Sequence, residues 1–438
     1  MPDHNTPIRK QRKISINVVT LGCPKNIVDS EKIMGSLPSG KFNILHDSNE
    51  RSDIVLINTC GFINDAKQES IDTILQHTEA KKSNNSKVYV TGCLAQRYKS
   101  QLLSEIPAID GIFGLTETSE LITRITQSFC ELSDNRILTT PNHYAYLKIS
   151  EGCDRTCSFC AIPLIRGANV SFPMEKILEE AQMLADMGVK ELIVIAQDTT
   201  YYGLDIYKKR KLALLLEKLS EIKQIEWIRL HYAFPSGFPE DVLEVMAGRD
   251  NICKYLDIPL QHINDEMLAS MRRNSDRKGT IALLNKIRRT VPGIALRTAF
   301  IVGYPGESQA QFDELCDFVQ EQQFERMGVF TFSKEEGTAA ELLKPQISSK
   351  IKQQRYDKLM DLQHQISSSL NQSMVGKTLK VIIDRKENDF FIGRTEYDSP
   401  EIDNEVLIPE KGKKLKPGNL YNVKITGAEV YDLYAEVK

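Results

Sequence analysis

No apolar run in this sequence approaches the roughly 18 residues of a membrane span, so nothing in it reads as a transmembrane segment. Charge of one sign is not in excess either. The 56 Lys and Arg against 59 Asp and Glu leave a net charge of −3, which gives no reason to expect strong nucleic-acid binding. Long repeats and extended low-complexity tracts are missing, which sets aside solenoid and collagen-like chains. Residues 1–13 are polar and basic with no apolar stretch behind them, so they read as a disordered tail and not as a secretory signal. Cysteine is sparse and odd in number, nine in 438 residues. Without a secretion signal the expectation is a cytoplasmic chain with reduced thiols, not a disulfide framework. Reduced cysteines are packing residues, metal ligands or nucleophiles, and spacing has to separate them.

What is present is an ordinary globular composition, 41% hydrophobic and 26% charged, long enough for about three domains at roughly 150 residues each. Three segments read differently. In residues 14–131, β-type runs at 14–20, 53–58 and 87–91 alternate with helical patterns at 25–37 and 64–82. That alternation predicts an α/β domain with a parallel sheet wrapped by helices. A polar stretch with a proline follows at 132–142. In residues 139–371, six β-type runs (144–149, 191–196, 227–231, 255–259, 294–302 and 326–330) each lead through a loop into a helical pattern. They predict a partial parallel (β/α)6 barrel, followed by a long polar helix over 348–372. Residues 374–438 have no helical pattern. Runs at 379–383, 390–394, 405–408, 422–425 and 431–437, punctuated by Gly393, Pro417-Gly418 and Gly427, predict a five-stranded β-barrel of the oligonucleotide-binding type.

The densest chemical motif is Cys153-Asp-Arg-Thr-Cys157-Ser-Phe-Cys160, in the loop after the first strand of the second segment. Zinc would want a fourth Cys or His close by, and none follows. Three thiolates with one ligand missing fit a four-iron, four-sulfur (4Fe-4S) cluster with one open iron; an incomplete zinc site or clustered core cysteines are the alternatives. Position favours the cluster, because functional groups gather at the C-terminal ends of barrel strands. A second set is dispersed. Cys23, Cys60 and Cys93 each stand just past the end of a predicted parallel strand, beside Gly22, Gly61 and Gly92. In an open parallel sheet such ends share one edge, so the three thiols converge on a second cluster, or else are three buried thiols. Cys130, Cys253 and Cys316 lack such company and read as packing residues.

With both sets placed, the chain resembles the methylthiotransferases, a family of radical S-adenosylmethionine (SAM) enzymes, along almost its whole length. The order of segments is similar to a methylthiotransferase N-terminal domain, a radical-SAM core and a TRAM domain. The matching motifs are Leu21-Gly-Cys-Pro-Lys-Asn-Ile-Val-Asp-Ser-Glu31, Asn58-Thr-Cys-Gly-Phe-Ile63, Gln197-Asp-Thr-Thr200, Asp257-Ile-Pro-Leu-Gln-His262 and Phe300-Ile-Val-Gly-Tyr-Pro-Gly-Glu307. The resemblance implies a transferase with two 4Fe-4S clusters and two SAM molecules. One SAM gives a 5′-deoxyadenosyl radical and the other a methyl group, while the N-terminal cluster handles the sulfur. Such C–H chemistry belongs to cofactors. In the branch it most resembles, the acceptor is the β-carbon of an aspartate in small-subunit ribosomal protein S-twelve, free or in the 30S subunit. Electrons would come from a low-potential flavodoxin or ferredoxin. A sister branch modifies adenosine in transfer RNA, and a non-catalytic iron-sulfur carrier is the reading from another class.

Position in the core suggests Gln197 and Asp198 for the SAM amino group, with helix capping as the plain alternative for Asp198. Arg229 and His231 share one face of a strand. Arg297, on another strand, is a candidate clamp for the SAM carboxylate. For all three, structural pairing is the competing reading. Residues 374–438 hold 11 Lys and Arg and 12 Asp and Glu, a net charge of −1. A transfer-RNA grip would favour a basic face, whereas Glu401, Asp403 and Glu405 would suit a basic ribosomal protein. Asn404 stands where the family commonly has glycine, and is expected to take a left-handed turn.

Overall fold

A computed structural model describes residues 12–127, 135–412 and 414–438. Most of the tail expected over 1–13 therefore lies outside the described residues, as does Cys130; Arg12, which is described, donates to Asp53 at 3.2 Å. The chain divides into two compact units, Met1–Thr139 and Thr140–Lys438.

The first unit is a five-stranded parallel sheet with the order β2-β1-β3-β4-β5. Its elements are β1 (Ile14–Thr20), α1 (Pro24–Gly35), β2 (Phe42–His46), β3 (Ile54–Thr59), α2 (Asn64–Asn84), β4 (Lys87–Gly92), α3 (Cys93–Glu105), β5 (Gly111–Ile112) and α4 (Thr118–Thr126). The central β3 is buried at every residue, because helices cover both faces of a parallel sheet. Ile16, Val18 and Leu56 pack on one face, and Val55, Ile57, Val88 and Val90 on the other. The short edge strands β2 and β5 have no counterpart in the sequence reading, since neither carries a continuous apolar run. The polar stretch after the sheet is not a bare linker. Arg136 forms a fully buried ion pair with Glu31 of α1, and Thr139 N donates to Glu31 Oε1 at 2.7 Å.

The second unit begins with six parallel strands: β6 (Tyr144–Lys148), β9 (Glu191–Ile195), β10 (Trp227–Leu230), β11 (Ile252–Asp257), β12 (Ala295–Val302) and β13 (Arg326–Thr331). They lie side by side in chain order, an open partial barrel. A two-stranded antiparallel pair, β7 (Ser150–Glu151) with β8 (Val170–Ser171), sits within the first crossover. The helix Ser349–Gln372 is polar yet buries Arg355, Leu359, Gln363, Ile366 and Asn371, residues at helical spacing. A closed five-stranded barrel follows, β14 (Thr378–Glu387), β15 (Phe390–Thr395), β16 (Glu405–Pro409), β17 (Leu420–Ala428) and β18 (Asp432–Val437), in the order β14-β15-β16-β18-β17.

This small barrel is docked to the core through buried charge. Arg394 donates to Glu191 at 2.8 Å and to Asp384 at 2.7 Å, and Arg229 donates to Glu191 at 2.8 Å and to the Glu396 carbonyl at 2.7 Å. Arg326 pairs with Asp398, and His231 Nε2 lies 3.0 Å from Ser399 Oγ. Arg229 and His231 are therefore engaged in docking the small barrel. The expected acidic face also needs correction at Asp403, whereas Glu401 is exposed. The Asp403 side chain is 2% exposed and is held by Arg297 at 3.4 Å and the Tyr255 hydroxyl at 2.8 Å. Tyr144 donates to Glu401, and Glu405 is occupied by Arg385. The left-handed residue of this loop is Glu401 (φ 70°), not Asn404; Asn404 is buried and donates to Asn371 Oδ1.

Candidate functional site

The loop after β7 carries Cys153, Cys157 and Cys160 at the C-terminal rim of the six-stranded sheet. Ser158, between two of the cysteines, ties it down. Its N–H donates to the Met271 carbonyl, its carbonyl accepts from Ala340 N, and its hydroxyl lies 2.8 Å from both the Tyr304 hydroxyl and the Ser270 carbonyl. The loops after β11, β12 and β13 thus share one anchor in the cysteine loop. Arg155, inside the motif, donates to Asp198 Oδ2 at 2.7 Å and lies over the Phe234 ring at 3.9 Å. Its N–H also donates to Cys153 Sγ at 3.4 Å.

All three cysteines line one cavity of about 380 Å³, with Leu164, Arg272 and Gly337 on its wall. Burial pushes the Cys153 thiol up to about 11, with the neighbouring Asp198 and Cys157 adding to the rise. Burial likewise pushes Cys160 up to about 12. Loading metal here would therefore release protons. Among the described residues, no three His, Cys, Asp or Glu side chains gather closely enough to hold a single metal ion. One zinc would draw each sulfur to about 2.3 Å of a common centre. A four-iron cluster takes each thiolate on a different corner and needs them further apart. Three cysteines lining one open cavity suit the larger group.

In the first unit Cys23 precedes α1, Cys60 follows β3, and Cys93 opens α3 after β4. Strands β1, β3 and β4 are adjacent, so the three cysteines share one sheet edge. Gly22, at φ 93°, makes the approach possible: a Cβ there would stand 2.6 Å from Cys60 Cβ and 2.9 Å from its sulfur. Asn26 binds the set together. Its side chain donates to the Leu21 and Thr59 carbonyls at 2.7 and 3.1 Å and faces Cys93 Sγ at 3.7 Å. Cys23 and Cys93 also stand at helix N-termini, where the dipole favours the negative charge of metal-bound thiolates.

Gln197 and Asp198 follow β9 on the same rim as the core cysteines. Gln197 Nε2 donates to Glu151 at 2.7 Å, while its buried Oε1 has no hydrogen-bond partner among the described residues. Asp198 is both a cap, accepting from Thr200 N at 2.9 Å, and the partner of Arg155. Arg297 stands elsewhere: Asp257 at 3.2 Å and Asp403 at 3.4 Å supply the carboxylates that a SAM clamp would have left vacant. Asn26, Ser158 and Arg273 were not legible as site residues. Asn26 and Ser158 lie inside the cysteine motifs, which is the signal that points to them. Arg273 Nη1 donates to Cys157 Sγ at 3.5 Å from 116 positions away, and nothing local marks it.

Residues 15–114 match the family described as uncharacterized protein family UPF0004, residues 147–319 the radical SAM superfamily, and residues 375–437 the TRAM domain. The chain is 54% identical to the ribosomal protein uS12 methylthiotransferase RimO of Christiangramia forsetii, over 97% of this chain and 94% of that one. It is 52% identical to the protein of the same name from Cytophaga hutchinsonii, over 97% and 98%. Among solved structures it is similar in fold to TsrM, a radical S-adenosylmethionine methyltransferase from Kitasatospora setae. The TM-score is 0.55 at 14% identity, covering 75% of this chain and 77% of that one. It is also similar to OxsB, a cobalamin-dependent S-adenosylmethionine radical enzyme, with a TM-score of 0.51 at 14% identity over 81% and 56%.

Proposed function

The chain belongs to the ribosomal protein uS12 methylthiotransferase RimO family, and on that premise we propose that it places a methylthio group on the β-carbon of an aspartate in uS12. The observation that carries this reading is the cysteine loop, whose three cysteines line one rim cavity and whose Arg155 bonds Asp198. Cys153, Cys157 and Cys160 would hold the core 4Fe-4S cluster, and Cys23, Cys60 and Cys93 would hold a second. The working regions are residues 14–131 for sulfur handling, 139–371 for radical generation, and 374–438 as the TRAM domain. When bound, the core cluster supplies reductive cleavage of SAM to a 5′-deoxyadenosyl radical, using an electron from a low-potential carrier of the flavodoxin or ferredoxin type.

The protein's own residues bind and orient. Glu151 accepts from Gln197 Nε2 and leaves the buried amide oxygen without a partner among the described residues, so that oxygen would accept from the SAM amino group. Asp198, anchored by Arg155 and by the Thr200 N–H, would be the second polar contact for that group. Arg297 is paired with Asp257 and with Asp403 of the small barrel, which favours a docking role over the SAM carboxylate. No described helix is long and apolar enough to cross a membrane. A ribosomal substrate would be met in the cytoplasm.

Mass spectrometry of uS12 from cells lacking this chain tests the assignment. The mass increment of one sulfur and one methyl group, less the displaced hydrogen, is expected to vanish. It should return with the wild-type chain but not with Cys153→Ala. An unchanged uS12 mass, with methylthio-adenosine lost from transfer RNA instead, would move the chain to the sister activity.

A further inference from the structure

Arg273 is 4% exposed and far in sequence from the cysteine loop, yet it reaches one of its sulfurs. Nη1 donates to Cys157 Sγ at 3.5 Å, and Nη2 donates to the Pro259 carbonyl. The guanidinium lies over the Phe234 ring at 4.0 Å, the same ring that Arg155 covers at 3.9 Å. Three separate contacts therefore fix the planar group, and one of them is a cluster-ligand sulfur. The backbone is also committed to this placement. Arg272 and Asn274, on either side, both sit in the left-handed region at φ 55° and 52°. Such conformations are unfavourable for residues with a Cβ, and persist where the surroundings demand them. Here they turn the chain so that Arg273 points inward between two neighbours that are both exposed. Packing alone does not account for a cation brought to this position, because a buried guanidinium is expensive without anionic compensation. A thiolate on an iron cluster is such compensation.

We propose that Arg273 sets the reduction potential of the cluster held by Cys153, Cys157 and Cys160, through a charge-assisted N–H···S bond to Cys157 that favours the reduced form. The inference rests on the cluster assignment above. The step is a one-electron reduction by an external low-potential donor, and no bond forms or breaks at Arg273. The reduced cluster carries one more negative charge, so a fixed positive charge and a donor at its sulfur stabilise it over the oxidised form. Arg273 is thus a positioning and tuning residue. It makes the radical-generating cluster easier to reduce.

The test uses the full-length chain, prepared anaerobically with Cys23, Cys60 and Cys93 replaced by alanine, so that only the core cluster is observed. Its midpoint potential is measured by reductive titration followed by electron paramagnetic resonance. Arg273→Gln is expected to weaken the reduction equilibrium about tenfold, which for one electron is a midpoint about 59 mV more negative. Arg273→Lys keeps the charge but cannot reach Pro259 and Cys157 with one planar fork, so its midpoint should fall between the two. A Gln variant with full iron and the parental midpoint would overturn the proposal. If the Gln variant loses iron, the Lys variant decides: a lowered midpoint supports the tuning role and a parental one refutes it. A parent that binds no iron at all would instead sink the cluster assignment, and the inference with it.

Discussion

His262 Nε2 faces Glu307 Oε1 at 3.3 Å, and both side chains are fully buried. The other ring nitrogen, Nδ1, accepts the N–H groups of Ile263 and Asn264 at 2.9 and 3.0 Å. A nitrogen that accepts twice carries no proton, so the proton lies on Nε2 and is donated to Glu307. Glu307 also accepts from Gly303 N and from Arg355 Nη1. One carboxylate thereby joins the loop after β11, the loop after β12 and the helix Ser349–Gln372. Tyr304, next to Gly303, carries the connection to Ser158 in the cysteine loop.

His262→Ala should leave the buried Ile263 N–H, the part-buried Asn264 N–H and one side of Glu307 without this partner. The expected loss is about 2–4 kcal/mol of stability. Asparagine can accept with its oxygen and donate with its nitrogen, so His262→Asn should lose clearly less. Urea unfolding of the three proteins ranks them; equal losses for Ala and Asn would mean the hydrogen bonds contribute little.

Arg394 is buried between Glu191 of the core and Asp384 of the small barrel. Removing one partner of a buried charge network typically costs about 3–5 kcal/mol, because the others stay buried without compensation. Arg394→Met should therefore unfold at lower urea and expose the chain around residue 374 to limited proteolysis. A variant as stable and as protected as the wild type would show that docking rests on apolar contacts such as Trp227 with Ile382.

The same network predicts an acid limb. Burial alone would raise the Asp384 and Glu191 carboxyls, but Arg394, with His143 on one side and Arg229 on the other, outweighs it and holds both below their ordinary range. A carboxylate lowered on folding stabilises the protein above its unfolded value, about 4. That contribution is lost as the pH falls through the lower folded value. Stability measured from pH 6 down to pH 2 should drop more steeply for the wild type than for Asp384→Asn. Parallel curves would show that Asp384 is not responsible.

Gly22→Ala tests convergence of the dispersed cysteines. The new methyl group would meet Cys60 at 2.6 Å, in a backbone conformation that alanine resists. Iron content should fall from about eight to about four per chain, with the core loop still loaded. Retention of all the iron would mean that Cys60 does not need its present position.

Sequence alone located the two cysteine sets of this protein, because their signals are local. Three cysteines within eight residues, and three more each closing an apolar strand, are readable without contacts. The strands themselves followed from the same apolar runs, and the short edges β2 and β5 escaped for want of one. What tertiary structure decided was the fate of the charged residues. Arg297 was a plausible clamp and Asp403 a plausible surface acid until the fold set them against each other at 3.4 Å. Arg273 was one arginine among many until the fold carried it to Cys157. The physical reason is that burial of an apolar run is dictated by its own composition. The role of a charge is dictated by what stands within a few ångströms of it, and those neighbours are supplied by distant stretches of chain.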